Sequence, residues 1–253
     1  MYTLTFGLIL LVGVFAIGLI TKTILPALES IELANKERKH AIYGVDTKEK
    51  KVAISFDAAW GAEKTPQILD LMKKYNIKTT FFLVGFWVDK HPDMVKRIVA
   101  EGHEIGNHSA THPDFRKLPK EKIIEELKIT NDKIKALTGK DTTLFRPPFG
   151  EYNNNVIETS NTEGYQVLKW SVDSLDWKDL SPEQMYKRVA VDIQPGDLVL
   201  FHNNGKYTVE ALPNIIEKIQ KDGFKIVPIS EVLYKDNYYI DSNSGIMKKK
   251  PNS

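Results

Sequence analysis

Between Lys50 and Tyr234 the chain alternates short apolar runs with longer amphipathic ones, and this alternation limits the fold more than any other feature. The strand candidates are KVAISFD, KTTFFLVG, HEIGNHS, TLFRPP, YQVLKWSVD, DLVLFHN and FKIVPIS. They are rich in Val, Ile and Phe and often apolar at successive positions, the pattern of strands covered on both faces. Helix signals lie between them. Thr65 and Pro66 read as an N-cap and N1 pair, Pro92 opens a helix that Gly102 closes, and Ser181 with Gln184 reads as a capping box. Ile123, Leu127, Ile134 and Leu137 form a helical apolar stripe that core packing explains. Strand–helix repetition yields a parallel sheet with right-handed crossovers. The expected fold class is α/β, a deformed (β/α) barrel of about seven βα units, with a doubly wound open sheet as the alternative. No Gly-rich phosphate loop follows the first strand, so no nucleotide site is expected.

The ends of the chain read differently. Residues 1–21 carry no charge and are rich in Leu, Ile, Val, Phe and Gly. As a helix they would be roughly 30 Å long, the thickness of a bilayer core. A cleaved signal peptide would want a basic start and a small-residue cleavage site, and TKTILPALES offers no good one. The expected layout is a transmembrane anchor at 1–22, a polar tether at 23–48, a folded domain at 49–235 and a disordered tail at 236–253. A net charge of +2 over 253 residues implies no nucleic-acid partner. The absence of Cys excludes disulfides, thiolate metal sites and Cys nucleophiles.

Polar residues fall at the strand ends. Asp57 ends the first strand, His108 and His112 follow the third, and Arg146 follows the fourth. Asp173 and Asp176 follow the fifth, and His202 ends the sixth. In βα barrels such ends converge on one face, where the active site lies. HSATH, read as a helical turn, points two imidazoles the same way and supplies half of a Zn²⁺ shell, although this spacing alone is a weak signal. In RPPFG, two prolines stiffen the turn after Arg146, and Asp57 is its natural partner. In VDSLDW, Asp176 can orient an imidazole, and Trp177 can stack on a sugar or pack in the core.

These motifs, in order, resemble the polysaccharide deacetylases of carbohydrate esterase family 4, the NodB-homology domain. The resemblance covers about residues 50–233 and rests on SFDAAWG, HSATH, RPPFG, DSLDW and LVLFH. FDAAWG and the apolar start are most similar to the sporulation-associated subgroup. The resemblance implies a hydrolase that removes acetyl groups from N-acetylated sugars such as those of peptidoglycan. It implies Asp57 as general base, tuned by Arg146, and His202 as the acid, oriented by Asp176. It implies His108 and His112 as metal ligands, the backbone N–H of Phe149 at the oxyanion, and Trp177 as a groove wall. The family's first motif reads Asp-Asp, and its second acid is the third metal ligand. Here that position is Ala58, which has no ligand atom. The expected cofactor is therefore a divalent metal, zinc, weakly bound or absent. A non-catalytic glycan-binding relative is the alternative. The chemistry places the domain outside the cytoplasm, anchored to the membrane. Lys22, Lys36, Arg38 and Lys39, by the positive-inside rule, argue the reverse orientation.

Overall fold

In the computed structural model, which describes residues 38–251 with Ile24 and Pro26 as isolated positions ahead of them, the folded unit begins at His40. A short strand, β1 (Gly44–Val45), leads to the long strand β2 (Lys51–Ala58). The order continues α1 (Thr65–Lys74), β3 (Thr80–Leu83), α2 (Gly85–Lys90), α3 (Pro92–Ala100), β4 (Glu104–Asn107), α4 (Lys120–Thr138) and β5 (Leu144–Phe145). Next come α5 (Asn154–Thr162), β6 (Gln166–Val167), β7 (Val172–Asp173), α6 (Pro182–Ala190), β8 (Leu198–His202) and α7 (Thr208–Lys221). The chain ends through β9 (Lys225–Ile226), α8 (Ile229–Val232), β10 (Tyr238–Ile240) and β11 (Ile246–Lys249).

The fold is α/β, built on a curled parallel sheet in the order β6-β5-β4-β3-β2-β8-β7, with β9 also paired to β2. The expected fifth strand, YQVLKWSVD, is two strands. Residues 168–171 switch partners within it: the Leu168 N–H donates to Phe145 of β5, the Lys169 N–H to Ile42, and the Ser171 N–H to Leu198 of β8. The two ends of the strand order are thus one continuous piece of chain.

Alternation along β2 sets the two sides of the sheet. Phe56 and Ala58 lie in the apolar cluster shared with Ile68 and Leu69 of α1 and Leu212, Ile215 and Ile216 of α7. Ala53 packs inside the curl with Phe82, Leu144, Leu168 and Leu198. The capping box is present: the Ser181 hydroxyl accepts from the Gln184 N–H while the Gln184 side chain accepts from the Ser181 N–H. Thr65 is not an N-cap. It is the first helical residue, preceded by Lys64, and its hydroxyl accepts from Asn203 at 3.2 Å.

Two other expectations are corrected. Residues 236–251 are not a disordered tail: β10 pairs antiparallel with β11, and β11 pairs parallel with β1. Met247, wholly buried, plugs the apolar interior beside Ile42, Ile229 and Val232. For the same reason residues 40–48 are part of the folded unit and not tether. The expected membrane span, residues 1–22, and most of the tether lie outside the described residues. Among the described residues no helix is long and apolar enough to cross a membrane.

Candidate active site

Because the strands are parallel, their C-terminal ends open on one edge, and the ladder places the site residues side by side. Asp57 and His202 are register partners on β2 and β8. The His108 N–H donates to Leu83 of β3 at 3.0 Å, and the Arg146 N–H donates to Asn107 of β4 at 3.0 Å. A cavity of about 540 Å³ lies over these ends, lined by Asp57, His108, His112, Phe149, Asp176, Trp177 and His202 among others. Arg146 lies beneath its floor, fully buried.

Two charged pairs organise the cavity. The Arg146 guanidinium donates to Asp57 Oδ1 at 2.7 Å, to Ser55 Oγ at 2.9 Å and to the Lys169 carbonyl at 3.1 Å. It also lies over the Phe82 ring, 4.1 Å from the centroid. Burial drives the Asp57 carboxyl upward, but the Arg146 guanidinium, through its charge and its hydrogen bond, and the His202 imidazole outweigh it, and the group is held below its ordinary value. In the second pair, Asp176 takes the His202 ring nitrogen Nδ1 on Oδ1 at 2.8 Å. Its Oδ2 accepts from the His202 backbone N–H and from the Thr208 hydroxyl, both at 2.7 Å. Burial lowers His202, but the Asp176 hydrogen bond and charge more than compensate, so its pKa is raised.

HSATH is not helical. Ser109 and His112 adopt positive φ, 72° and 59°, a conformation that side chains other than Gly resist. Side chains hold the turn in place: Asn107 Oδ1 accepts from the Ser109 N–H, Ser109 Oγ from the His112 N–H, and Glu126 of α4 from the N–H groups of Ala110 and Thr111. The two rings nevertheless meet, with centroids 5.0 Å apart. Burial lowers the pKa of both, that of His112 to about 4 with His108 adding to it, so both are neutral imidazoles near pH 7.

The donor set tests the metal. His108 Nδ1 lies 2.6 Å from the Arg146 carbonyl, which makes it the N–H donor and leaves the Nε2 lone pair free. That lone pair faces Asp57 Oδ2 at 3.5 Å. Two acceptors facing each other in a buried site favour a cation between them. The position that would complete the set is Ala58, whose side chain is wholly buried in the apolar cluster and does not line the cavity. Among the described residues no group of three His, Asp or Glu side chains is placed to hold a metal ion. The residues fit a site of two imidazoles and do not fit the three-protein-ligand shell usual for catalytic zinc.

The structure also supplies groups that the sequence did not single out. Ser55 and Thr208 fix the two pairs, and Trp60, Trp170 and Lys206 line the cavity. Ser55 stands two residues before Asp57 and so shares its face, a signal that was there to find. Gly205 is required on packing grounds: a Cβ there would lie 2.2 Å from the Thr208 hydroxyl and 2.7 Å from Asp176 Oδ2.

A buried carboxylate–guanidinium pair and an imidazole–carboxylate pair facing one cleft define an acid–base hydrolase site on parallel strand ends. Comparison with known proteins gives the family. Residues 44–168 match the polysaccharide deacetylase model. A Bacillus cereus peptidoglycan-N-acetylglucosamine deacetylase is 36% identical over 77% of this chain and 93% of its own. The Bacillus subtilis peptidoglycan-N-acetylmuramic acid deacetylase PdaA is 33% identical over 81% of this chain and 80% of its own. A crystal structure of a family 4 pseudoenzyme from Bacillus anthracis superposes with a TM-score of 0.74 at 36% identity, over 77% of this chain and 69% of that one. A mutant of that protein is described as having restored enzymatic activity. The chain belongs to the polysaccharide deacetylase family.

Proposed function

We propose that this protein is a hydrolase that removes N-acetyl groups from peptidoglycan amino sugars. The observation that carries the reading is the pair of dyads, Asp57–Arg146 and Asp176–His202, facing one cavity. Asp57, kept ionised by Arg146, accepts a proton from water as its oxygen adds to the acetamide carbon. The Phe149 backbone N–H would donate to the oxygen that gains charge, the role the family resemblance implies for it. Phe149 lines the cavity with its ring 4.6 Å from that of His112, and its φ of +60° is a strained conformation of the kind found at functional sites. The C–N bond then breaks, and His202, held by Asp176 and kept protonated by it, gives its proton to the leaving amine. Acetate and a free amino sugar result. Trp177 walls the groove. A divalent metal, zinc, held weakly by His108 and His112, would polarise the acetamide oxygen when bound.

A second reading, a glycan-binding relative without catalysis, is favoured by Ala58 and by the likeness to a pseudoenzyme. Acetate release from N-acetylglucosamine oligomers and from muropeptides, measured across a zinc titration, separates the two. Oligomer binding with no acetate at any zinc concentration establishes the second.

The closed (β/α) barrel, the anchor and the setting belong to the same proposal. Residues 1–22 would anchor the domain outside the cytoplasm, supported by their apolarity. Full-length protein should then fractionate with membranes, and deletion of residues 1–22 should release it. A role in sporulation, in cell wall or spore cortex modification, rests on the FDAAWG resemblance.

A further inference from the structure

Lysines gather at the end of the domain farthest from the cavity. Lys48, Lys50, Lys225, Lys235, Lys249 and Lys250 are all exposed. Backbone pairing brings them together from separate parts of the chain. Lys51 and Lys225, the first residues of β2 and β9, are register partners, and the Lys225 N–H donates to the Lys50 carbonyl at 2.8 Å. Val45 of β1 pairs with Met247 of β11, and the Asp46 N–H donates to the Met247 carbonyl at 2.9 Å, so the turn that carries Lys48 runs beside Lys249. The Lys250 N–H donates to the Asn237 carbonyl at 2.9 Å, which brings the segment of Lys235 alongside. Met247 is wholly buried, so the core holds the run from Lys248 to Lys250 in place.

Few acids offset these charges. Glu49 is paired to Lys51 at 2.7 Å, Asp222 to Lys218, and Asp241 to Lys248 at 3.0 Å. Around the six lysines, Asp46, Glu231 and Asp236 are the exposed acids left outside a salt bridge among the described residues. This end is therefore positive, in a chain whose whole net charge is only +2. The cavity end has the opposite character: Asp57, Asp173, Asp176 and Asp179 line it, offset in part by Lys206 and the buried Arg146. β2 runs from Lys51 at one end to Asp57 near the other, roughly 20 Å at the rise of a strand. That is more than two Debye lengths of about 8 Å at physiological salt, so a charged surface acts on each end separately. A negative plane attracts one end and repels the other, which orients the domain as well as binding it. The ammonium groups are also spread out: Lys50 lies 5.4 Å over the Phe224 ring and Lys249 5.3 Å over that of Tyr234. Charges spread over strand ends suit a plane of headgroups, where each lysine adds its own attraction, whereas a single bound anion needs them to converge.

We propose that this lysine face rests on an anionic lipid surface and holds the mouth of the cavity away from it. Such docking is separate from hydrolysis and adds to the hold that residues 1–22 would give. The test is lysine acetylation, read by mass spectrometry, on full-length protein added to vesicles of phosphatidylcholine, alone or in equal parts with phosphatidylglycerol. On the anionic vesicles, labelling of Lys225, Lys249 and Lys250 should fall on the order of fivefold. Salt at about 1 M, where the Debye length is about 3 Å, should restore it. Lys206, at the cavity, should label equally on both. Lys225→Glu combined with Lys249→Glu should bring Lys250 labelling back to its level on neutral vesicles. Equal labelling of the three lysines on both vesicles, protection of Lys206 in their place, or unchanged protection of Lys250 in the double variant overturns the docking face. If the double variant fails to match the wild-type thermal midpoint, the salt dependence of the wild type decides alone: protection that survives about 1 M salt overturns the face, and its loss supports it. Protection by soluble polyphosphate, with none on anionic vesicles, makes the face a polyanion site and overturns the lipid surface. Acetate release is scored separately. A wild type that releases none, yet shows this protection, refutes the hydrolase reading and supports the lysine face.

Discussion

Asp57 and His202 are register partners on adjacent parallel strands, so the proposed base and acid are set by a hydrogen-bonded ladder and not by loops. Their titrations are pulled apart. The Asp57 carboxyl is held below its ordinary value and the His202 imidazole above its own. Between the two values the base is ionised and the acid protonated, which is the working state.

Asp176→Asn tests the acid. The change removes the charge that raises His202, so the alkaline limb of acetate release should move to lower pH. The maximal rate should fall by about 10²–10⁴-fold, the range typical of losing a general acid. The acid limb, set by Asp57, should stay in place. A pH profile of acetate release with an unmoved alkaline limb would remove His202 from the acid role.

Arg146→Met tests the buried pair. The variant keeps the side-chain volume and strands the Asp57 carboxylate in a site where both groups are almost fully buried. Breaking such a pair costs about 3–5 kcal/mol. The sign with pH follows from the depressed Asp57 pKa. Its stabilisation is present above the unfolded carboxylate value of about 3.9 and is lost as pH falls through the folded value. Urea unfolding should therefore show the largest gap between wild type and variant near neutral pH, closing in acid. A gap that does not vary with pH would mean that the loss is packing alone.

Ala58→Asp tests the missing ligand. Ala58 is wholly buried among apolar side chains, so a carboxylate there should lower the thermal midpoint of the metal-free protein. Zinc should restore it, and calorimetric titration should show tighter zinc binding than in wild type. Equal, tight binding in both would make Asp57 itself the third ligand and end its role as a free base.

Met247→Ala tests the C-terminal sheet. Met247 is fully buried at the end of the apolar interior, and truncating such a side chain costs about 2–5 kcal/mol. Deleting residues 236–253 should cost at least as much. A urea midpoint unchanged by both variants would mean that β10 and β11 do not pack in solution.

Much of the site was readable before any coordinate, because it depends on local pattern. A parallel βα repeat sends its strand ends to one edge, so Asp57, Arg146, Asp176 and His202 could be grouped from position alone. The substitution at Ala58 was equally plain. What stayed hidden is non-local. β11 reads Ile-Met-Lys-Lys, polar and short, and becomes a strand because β1, at the far end of the folded unit, lies beside it. HSATH carries no signal for its left-handed turn, since Glu126, from a helix later in the chain, supplies the acceptors that hold it. Trp60 could equally have been core. Only the pinned Gly61 carbonyl, held by Trp87 of α2 and by Asn203 just after β8, turns it to solvent. Residue type and period determine which elements form and which side of a strand a residue takes. Which side chain meets which partner is decided by contacts between distant segments, whose closure entropy and packing no local window contains.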